Sequence, residues 1–88
     1  MNAPLVELMF LPVDECRSRS ACGRYEVMKQ GPRFARSWVA WFRPHPDRGA
    51  EFIESFRQGT DDDMRRAAKE ACRRHARTIT AAAVQPQE

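Results

Sequence analysis

Residues 59–77, GTDDDMRRAAKEACRRHAR, decide the fold of this chain. Thr60 is a favoured N-cap residue, and Asp63 can reach back to the Thr60 backbone N–H in a capping box. Acidic residues fill the first turn and basic residues the last turns, which suits the helix dipole. The stretch is therefore predicted to form the one long helix. Its apolar side is Met64, Ala67, Ala68, Ala71, Cys72, His75 and Ile79. Because most of these are small, the helix can approach a sheet closely, and strands must supply the bulk of the core.

A second row of the same helix is basic. Its members are four residues apart and therefore lie along one line of the helix surface. They are Arg65, Lys69, Arg73 and Arg77, with Arg66 and Arg74 beside them. Two interpretations stay open: a solvated helix face, and a ridge that binds phosphates or carboxylates. The second interpretation predicts partner contacts for Arg65, Arg66, Lys69, Arg73 and Arg77.

The chain before the helix has the pattern of strands. Apolar and alternating segments predict strands over 5–11, 24–29, 34–43 and 51–57. Pro12 is predicted to end the first strand, and the polar residues 13–22 are predicted to be a connector. The expected fold class is α+β: an antiparallel three- to four-stranded meander with one C-terminal amphipathic helix packed on one face, in the order β-β-β-β-α.

Alternation assigns side chains to the two faces of this sheet. The residues expected to face the helix are Phe34, Trp38, Ala40, Phe42, Phe52 and Phe56. The residues expected on the face that the helix leaves open are Val39, Trp41 and Ile53. Exposed aromatic side chains on a sheet are a candidate partner surface, so Trp41 joins the predicted binding residues. The alternative is that another segment of the chain covers them.

Length and composition limit the remaining possibilities. The 88 residues predict one domain over 1–80 and a flexible tail over 81–88. Net charge is +3 and 13 of the 15 basic residues are arginine, which reflects either genome composition or a preference for guanidinium contacts with anions. The apolar run 5–13 is too short to span a bilayer and contains Glu7 and Pro12, so no membrane segment or signal peptide is expected. Three cysteines without a framework spacing favour a reducing cytoplasm.

Metal binding and catalysis have little support in the sequence. The residues that would hold zinc, if any were bound, are Cys16, Cys22, Cys72 and His75. Cys72 and His75 are three apart on the helix, but the spacing from Cys16 to Cys22 is looser than a zinc knuckle. No nucleophile elbow, Walker A loop or dinucleotide-binding glycine pattern is present. We therefore expect no metal, no cofactor and no enzymatic activity, with a zinc-stabilised module kept as an alternative.

Two family resemblances bear on function. Gly31-Pro32, the aromatic hairpin that follows, and Arg65-Arg66-Ala67-Ala68-Lys69 resemble the second half of a double-stranded-RNA-binding domain, over residues 31–77. That family has a helix before this point, where strands are predicted here. The resemblance implies that the start of the helix contacts phosphates.

The whole chain also resembles the short, arginine-rich proteins of bacteriophages, among them anti-CRISPR proteins. This second resemblance implies stoichiometric binding that blocks a host protein or nucleoprotein complex in the host cytoplasm. The expected function is therefore a non-catalytic, phage-type inhibitor, acting as a monomer or homodimer through the basic helix row or the open sheet face. The alternatives are direct nucleic-acid binding and a zinc-stabilised module.

Overall fold

A five-stranded antiparallel sheet and one helix form the fold. The computed structural model describes residues 8–32, 35–45 and 47–84, with side chains as far as Ile79. The elements in chain order are β1 (Phe10–Asp14), β2 (Arg17–Ser20), β3 (Tyr25–Gln30), β4 (Ser37–Phe42), β5 (Glu51–Phe56) and α1 (Asp61–Val84). The strands pair in sequence order as a meander. The α+β class and the C-terminal helix on one face are confirmed, and the sheet has one strand more than the predicted order contains.

The first strand differs from its prediction. It includes Pro12, which was expected to end it, and Pro12 is paired with Ser18 of β2. A proline is tolerated here because β1 is an edge strand, where a residue without an N–H does not interrupt a ladder on both sides. The pairing becomes irregular between Pro12 and Asp14. Residues 5–7 of the predicted strand lie outside the described residues.

The predicted connector over 13–22 is wrong, because it contains the strand β2. This strand has the sequence RSRS, and its serines Ser18 and Ser20 are buried on the helix side of the sheet. The Ser20 hydroxyl accepts a hydrogen bond from the Tyr25 backbone N–H at 3.0 Å. Alternation of serine with arginine has the period of a strand but none of its hydrophobicity, and this is why the strand was missed.

The strand predictions for β3 and β4 are confirmed. Trp38 and Ala40 of β4 are buried against the helix, with exposed fractions of 1% and 0%. They pack with Tyr25 and Val27 of β3 in the core, and Phe42 packs against the same cluster. Val39 and Trp41 lie on the opposite face. Phe34, predicted to face the helix, lies outside the described residues.

The prediction for β5 is wrong at two positions. Phe52 was expected to face the helix but is 60% exposed, while Ile53 was expected on the open face but packs against the core. The register explains the reversal. Ala40 pairs with Glu54 and Trp41 pairs with Phe52, so Ile53 is the extra residue of a bulge. A bulge exchanges the faces of the residues that precede it. Phe56 faces the core as predicted.

The helix begins as predicted. The Thr60 hydroxyl accepts from the Asp63 N–H at 3.0 Å, and an Asp63 carboxylate oxygen accepts from the Thr60 N–H at 3.1 Å, which confirms the capping box. α1 packs across β3, β4 and β5 through a buried face of Ala68, Ala71, Cys72 and Ala76. Ile79, predicted on this face, is 41% exposed. The helix continues to Val84, four residues into the predicted tail; residues 85–88 lie outside the described part.

Candidate binding surfaces

The basic row on α1 forms a continuous ridge. We call Arg65, Arg66, Lys69, Arg73 and Arg77 the cationic ridge, because all five were predicted to bind a partner. The first four line one surface groove of about 310 Å³, which we call the helix groove, together with Asp62. Arg77 is one turn further along the helix. The structure therefore brings four of the five ridge residues to one concave site.

Most of the arginines in the ridge already have a partner. Arg65 forms an ion pair with Asp62, and its guanidinium lies 5.8 Å from the centre of the Trp38 ring. Glu70 is shared by Arg73, at 3.7 Å, and Arg77, at 3.4 Å. These pairs are exposed to solvent and each contributes ~0–1 kcal/mol. An arriving anion can therefore replace them at little cost.

The surroundings of Lys69 disfavour its charged form. Its ammonium lies 5.7 Å from the centre of the Phe10 ring and makes no ion pair with a residue that the structure describes. Burial lowers the pKa of Lys69, and the neighbouring charges of Arg65 and Arg73 lower it further. The positive charges of Arg65, Lys69 and Arg73 thus lie close together, and no described carboxylate pairs with Lys69. An anion bound here would reduce the repulsion among the three.

Arg74 and Asp61 act as links between helix and sheet. Arg74 forms an ion pair with Glu54 of β5 at 3.5 Å, so it points away from the ridge. Asp61 accepts from Lys29 Nζ at 2.6 Å and from Trp38 Nε1 at 3.0 Å. The hydrogen bond from Lys29, and then that from Trp38, lower the pKa of the Asp61 carboxyl. These contacts fix the start of α1 over β3 and β4.

Trp41 lies on the open face of the sheet, as predicted. It is half-buried, its Nε1 donates to Gln30 Oε1 at 2.8 Å, and its ring meets the Phe52 ring edge-to-face at 5.9 Å. Phe52 thus occupies the place on this face that was predicted for Ile53. Val39, also on this face, is only 7% exposed. The open face therefore carries the half-buried Trp41 ring, the exposed Phe52 ring and, on β1, the exposed side chain of Leu11, which pairs with Arg19.

A second groove, which the sequence analysis did not predict, adjoins Trp41. We call it the sheet groove; it has a volume of about 250 Å³ and is lined by Arg19, Gly23, Arg24, Tyr25, Glu26, Trp41, Arg43 and Ala50. Its arginines come from three neighbouring strand segments. The sequence signal that could have indicated this groove is the set of arginines over 17–24 and at position 43. Because β2 was not predicted, nothing placed these residues next to one another.

The four candidate zinc ligands are in different environments. Cys72 is completely buried, and burial raises the pKa of its thiol to about 12. His75 Nδ1 is 2.9 Å from the Tyr25 hydroxyl, whose pKa burial raises to about 12, so this hydroxyl is protonated and can donate to the imidazole. Cys22 is exposed, with its Sγ 3.3 Å from Ser20 Oγ. Cys16 is half-buried. Within the described part of the chain, no three His, Cys, Asp or Glu side chains are placed to hold a metal ion.

Comparisons with protein families, with curated proteins and with solved structures found no match for this chain. Among the residues that the structure describes, no helix has both the length and the hydrophobicity to cross a bilayer.

Proposed function

We propose that this protein is a non-catalytic binding protein that docks its cationic ridge on the anionic surface of a host nucleoprotein complex and blocks it in the cytoplasm. The observation that supports this is the helix groove, where four cations converge with one carboxylate, Asp62. Because the groove is open and shallow, it suits a macromolecular surface better than an enclosed small molecule. The resemblance of the whole chain to phage inhibitors agrees with this mode of action.

The electrostatics of Lys69 support the same proposal. An ammonium whose pKa is lowered by burial and by two like charges gains most when an anion arrives. Arg66 is exposed beside it and makes no ion pair within the described residues. A phosphate or carboxylate entering the groove can contact both groups without first breaking an ion pair to a described residue. Trp41 lies on the other face of the sheet and is not needed for this contact.

Affinity capture from host lysate tests the proposal when charge is reversed at the ridge. The variants are Lys69→Glu and Arg66→Glu, and the matched control is Arg57→Glu, an exposed arginine beyond β5. We expect the wild type and the control to recover the same protein and nucleic-acid complex. The ridge variants should lose at least ~90% of it when capture is below saturation, as a tenfold loss of affinity (~1.4 kcal/mol) would produce. Equal recovery by all four proteins would refute a role for the ridge.

Direct binding to duplex nucleic acid is the second candidate. The spacing of the ridge favours it, because cations four residues apart repeat about every 6 Å along the helix and can follow a phosphate backbone. Binding of a short RNA or DNA duplex should then weaken steeply with salt, by about −0.9 in log–log slope for each phosphate contacted on duplex DNA. If purified duplexes do not bind while capture from nuclease-treated lysate succeeds, the partner contact is with protein.

A further inference from the structure

The sheet groove combines an aromatic ring with several cations on the face opposite the ridge. Glu26 pairs with Trp41 in the register of β3 and β4, and Arg19 pairs with Glu26 in the register of β2 and β3. Paired residues of an antiparallel ladder point to the same face. The three side chains therefore form a row across the open face.

Arg24 and Arg43 extend this row at the end of the β3–β4 ladder. The Arg43 backbone N–H donates to the Arg24 carbonyl oxygen at 2.7 Å, so the two residues are adjacent across the strands. Each lies one residue outside its strand, Arg24 before β3 and Arg43 after β4, so both sit at the end of the sheet; Arg24 also borders a neighbouring pocket with Ala76 and Ile79 of α1. Both are exposed and line the groove.

The charge of the groove is positive. Glu26 is its one carboxylate, and that carboxylate is already shared by Arg17 at 3.5 Å and Arg19 at 3.4 Å. Neither Arg24 nor Arg43 forms an ion pair with any residue that the structure describes; one Arg43 nitrogen donates to the Arg48 carbonyl oxygen at 3.0 Å. Two guanidinium groups are therefore available to an anion beside the Trp41 ring.

We propose that the sheet groove binds single-stranded nucleic acid, with a base against Trp41 and its phosphate at Arg24 and Arg43. An aromatic ring and arginines on one exposed sheet surface match the two parts of a nucleotide: the base stacks and the phosphate pairs. A duplex cannot use such a site, because its bases are stacked on each other. An acidic peptide would satisfy the arginines but would leave Trp41 and Phe52 without a flat partner.

This site is distinct from the cationic ridge and does not rest on the proposed function. The ridge lies on α1 and the groove lies on the face of the sheet that α1 leaves open. A ridge variant and a groove variant therefore separate the two proposals. Failure of Lys69→Glu to affect lysate capture says nothing about the groove, and the reverse also holds.

Fluorescence anisotropy with labelled oligo(U) and oligo(dT) of about 12 nucleotides, a length within the usual site size, tests the groove. The full chain is titrated at about 50 mM salt, where phosphate contacts are strong. We expect binding that Arg24→Gln weakens about three- to tenfold and that Trp41→Ala weakens about tenfold or more. Trp41→Phe should retain most of the affinity. The matched control Arg57→Gln should bind like the wild type, and Lys69→Gln reports whether the strand lies on the ridge instead.

Three outcomes would overturn the assignment. The first is no binding of either oligonucleotide at low salt. The second is binding that Arg24→Gln and Trp41→Ala leave unchanged while Lys69→Gln abolishes it, since the strand would then lie on the ridge. The third is tighter binding of a poly-glutamate peptide of the same length, which would identify an acidic protein segment as the partner. Because Arg24 is exposed, Arg24→Gln keeps the test valid even if Trp41→Ala unfolds the protein.

Discussion

Two tryptophans three residues apart on β4 show how differently the two faces of this sheet are used. Trp38 is 1% exposed, lies in the core beneath α1 and donates its Nε1–H to Asp61. Trp41 is half-buried, donates to Gln30 and contacts the exposed Phe52 ring edge-to-face. The same side chain on the same strand therefore stabilises the fold in one case and is available to a partner in the other. What separates them is the helix, which covers one face only.

The largest effect should come from truncating these two side chains. Trp38→Ala should lower the free energy of unfolding by about 3–5 kcal/mol, because it removes a large buried ring and leaves a cavity. Trp41→Ala should cost less than half as much, because part of that ring is already in contact with water. Urea unfolding followed by circular dichroism measures both, and equal costs would contradict the contrast between the two faces.

Crowding the helix–sheet interface should have the next largest effect. Ala68 is completely buried, so Ala68→Leu should destabilise the fold by about 1–3 kcal/mol as the helix is pushed from the sheet. Ala67, its neighbour on the helix, is only half-buried and provides the matched control. Thermal unfolding of Ala68→Leu and Ala67→Leu compares them directly. If both variants lose the same stability, the close approach of α1 to the sheet at Ala68 is not what covers Trp38.

A smaller loss should follow from removing the helix cap. Thr60→Ala deletes the hydroxyl that accepts the Asp63 N–H, and it should cost about 1 kcal/mol. Thr60→Ser keeps that hydroxyl and should restore most of the stability. Chemical denaturation of the three proteins provides the measurement. A Thr60→Ala protein as stable as the wild type would show that sheet contacts alone hold the first turn.

The pH dependence of stability should be affected by Asp61. Its pKa is lowered by Lys29 and then by Trp38, so its contribution is complete above the unfolded-state pKa of about 3.9 and is lost as the pH falls through the folded-state pKa. Asp61→Asn should therefore lose less stability than the wild type when the pH is lowered from about 5 toward about 3. Urea midpoints across this range test it, with the exposed Glu51→Gln as control. If the urea midpoints of wild type and Asp61→Asn change equally with pH, the Asp61 contacts do not contribute to the pH dependence of stability.

The helix and the two central strands could be predicted because their signals are local. A capping threonine, acidic residues in the first turn and alanines at helical spacing need no tertiary context, and the apolar run from Trp38 to Phe42 indicates a buried strand directly. The basic row was predictable for the same reason, since residues four apart on a helix must be neighbours. Four of the five residues of the cationic ridge line one groove. The binding roles proposed for that ridge and for Trp41 stay predictions.

The positions of β2 and Ile53 could not be predicted, because RSRS has the period of a strand without its hydrophobicity and nothing in 51–57 marks a bulge. The segment RSRS is a strand because Ser18 and Ser20 are small enough to be buried beside β3, which depends on what lies opposite them. Ile53 faces the core because a bulge against β4 exchanges its face with that of Phe52. The sheet groove follows the same rule, since its arginines come from segments brought together only by strand pairing.

The sequence by itself thus determined the class of fold, the one long helix with its cap, and the line of cations along it, since each of these depends on contacts between residues a few positions apart. Only the tertiary structure decided the fifth strand, the face on which Phe52 lies, and the meeting of Arg24, Arg43 and Trp41. These depend on register between strands, and a shift of one residue in register moves a side chain to the other face of the sheet.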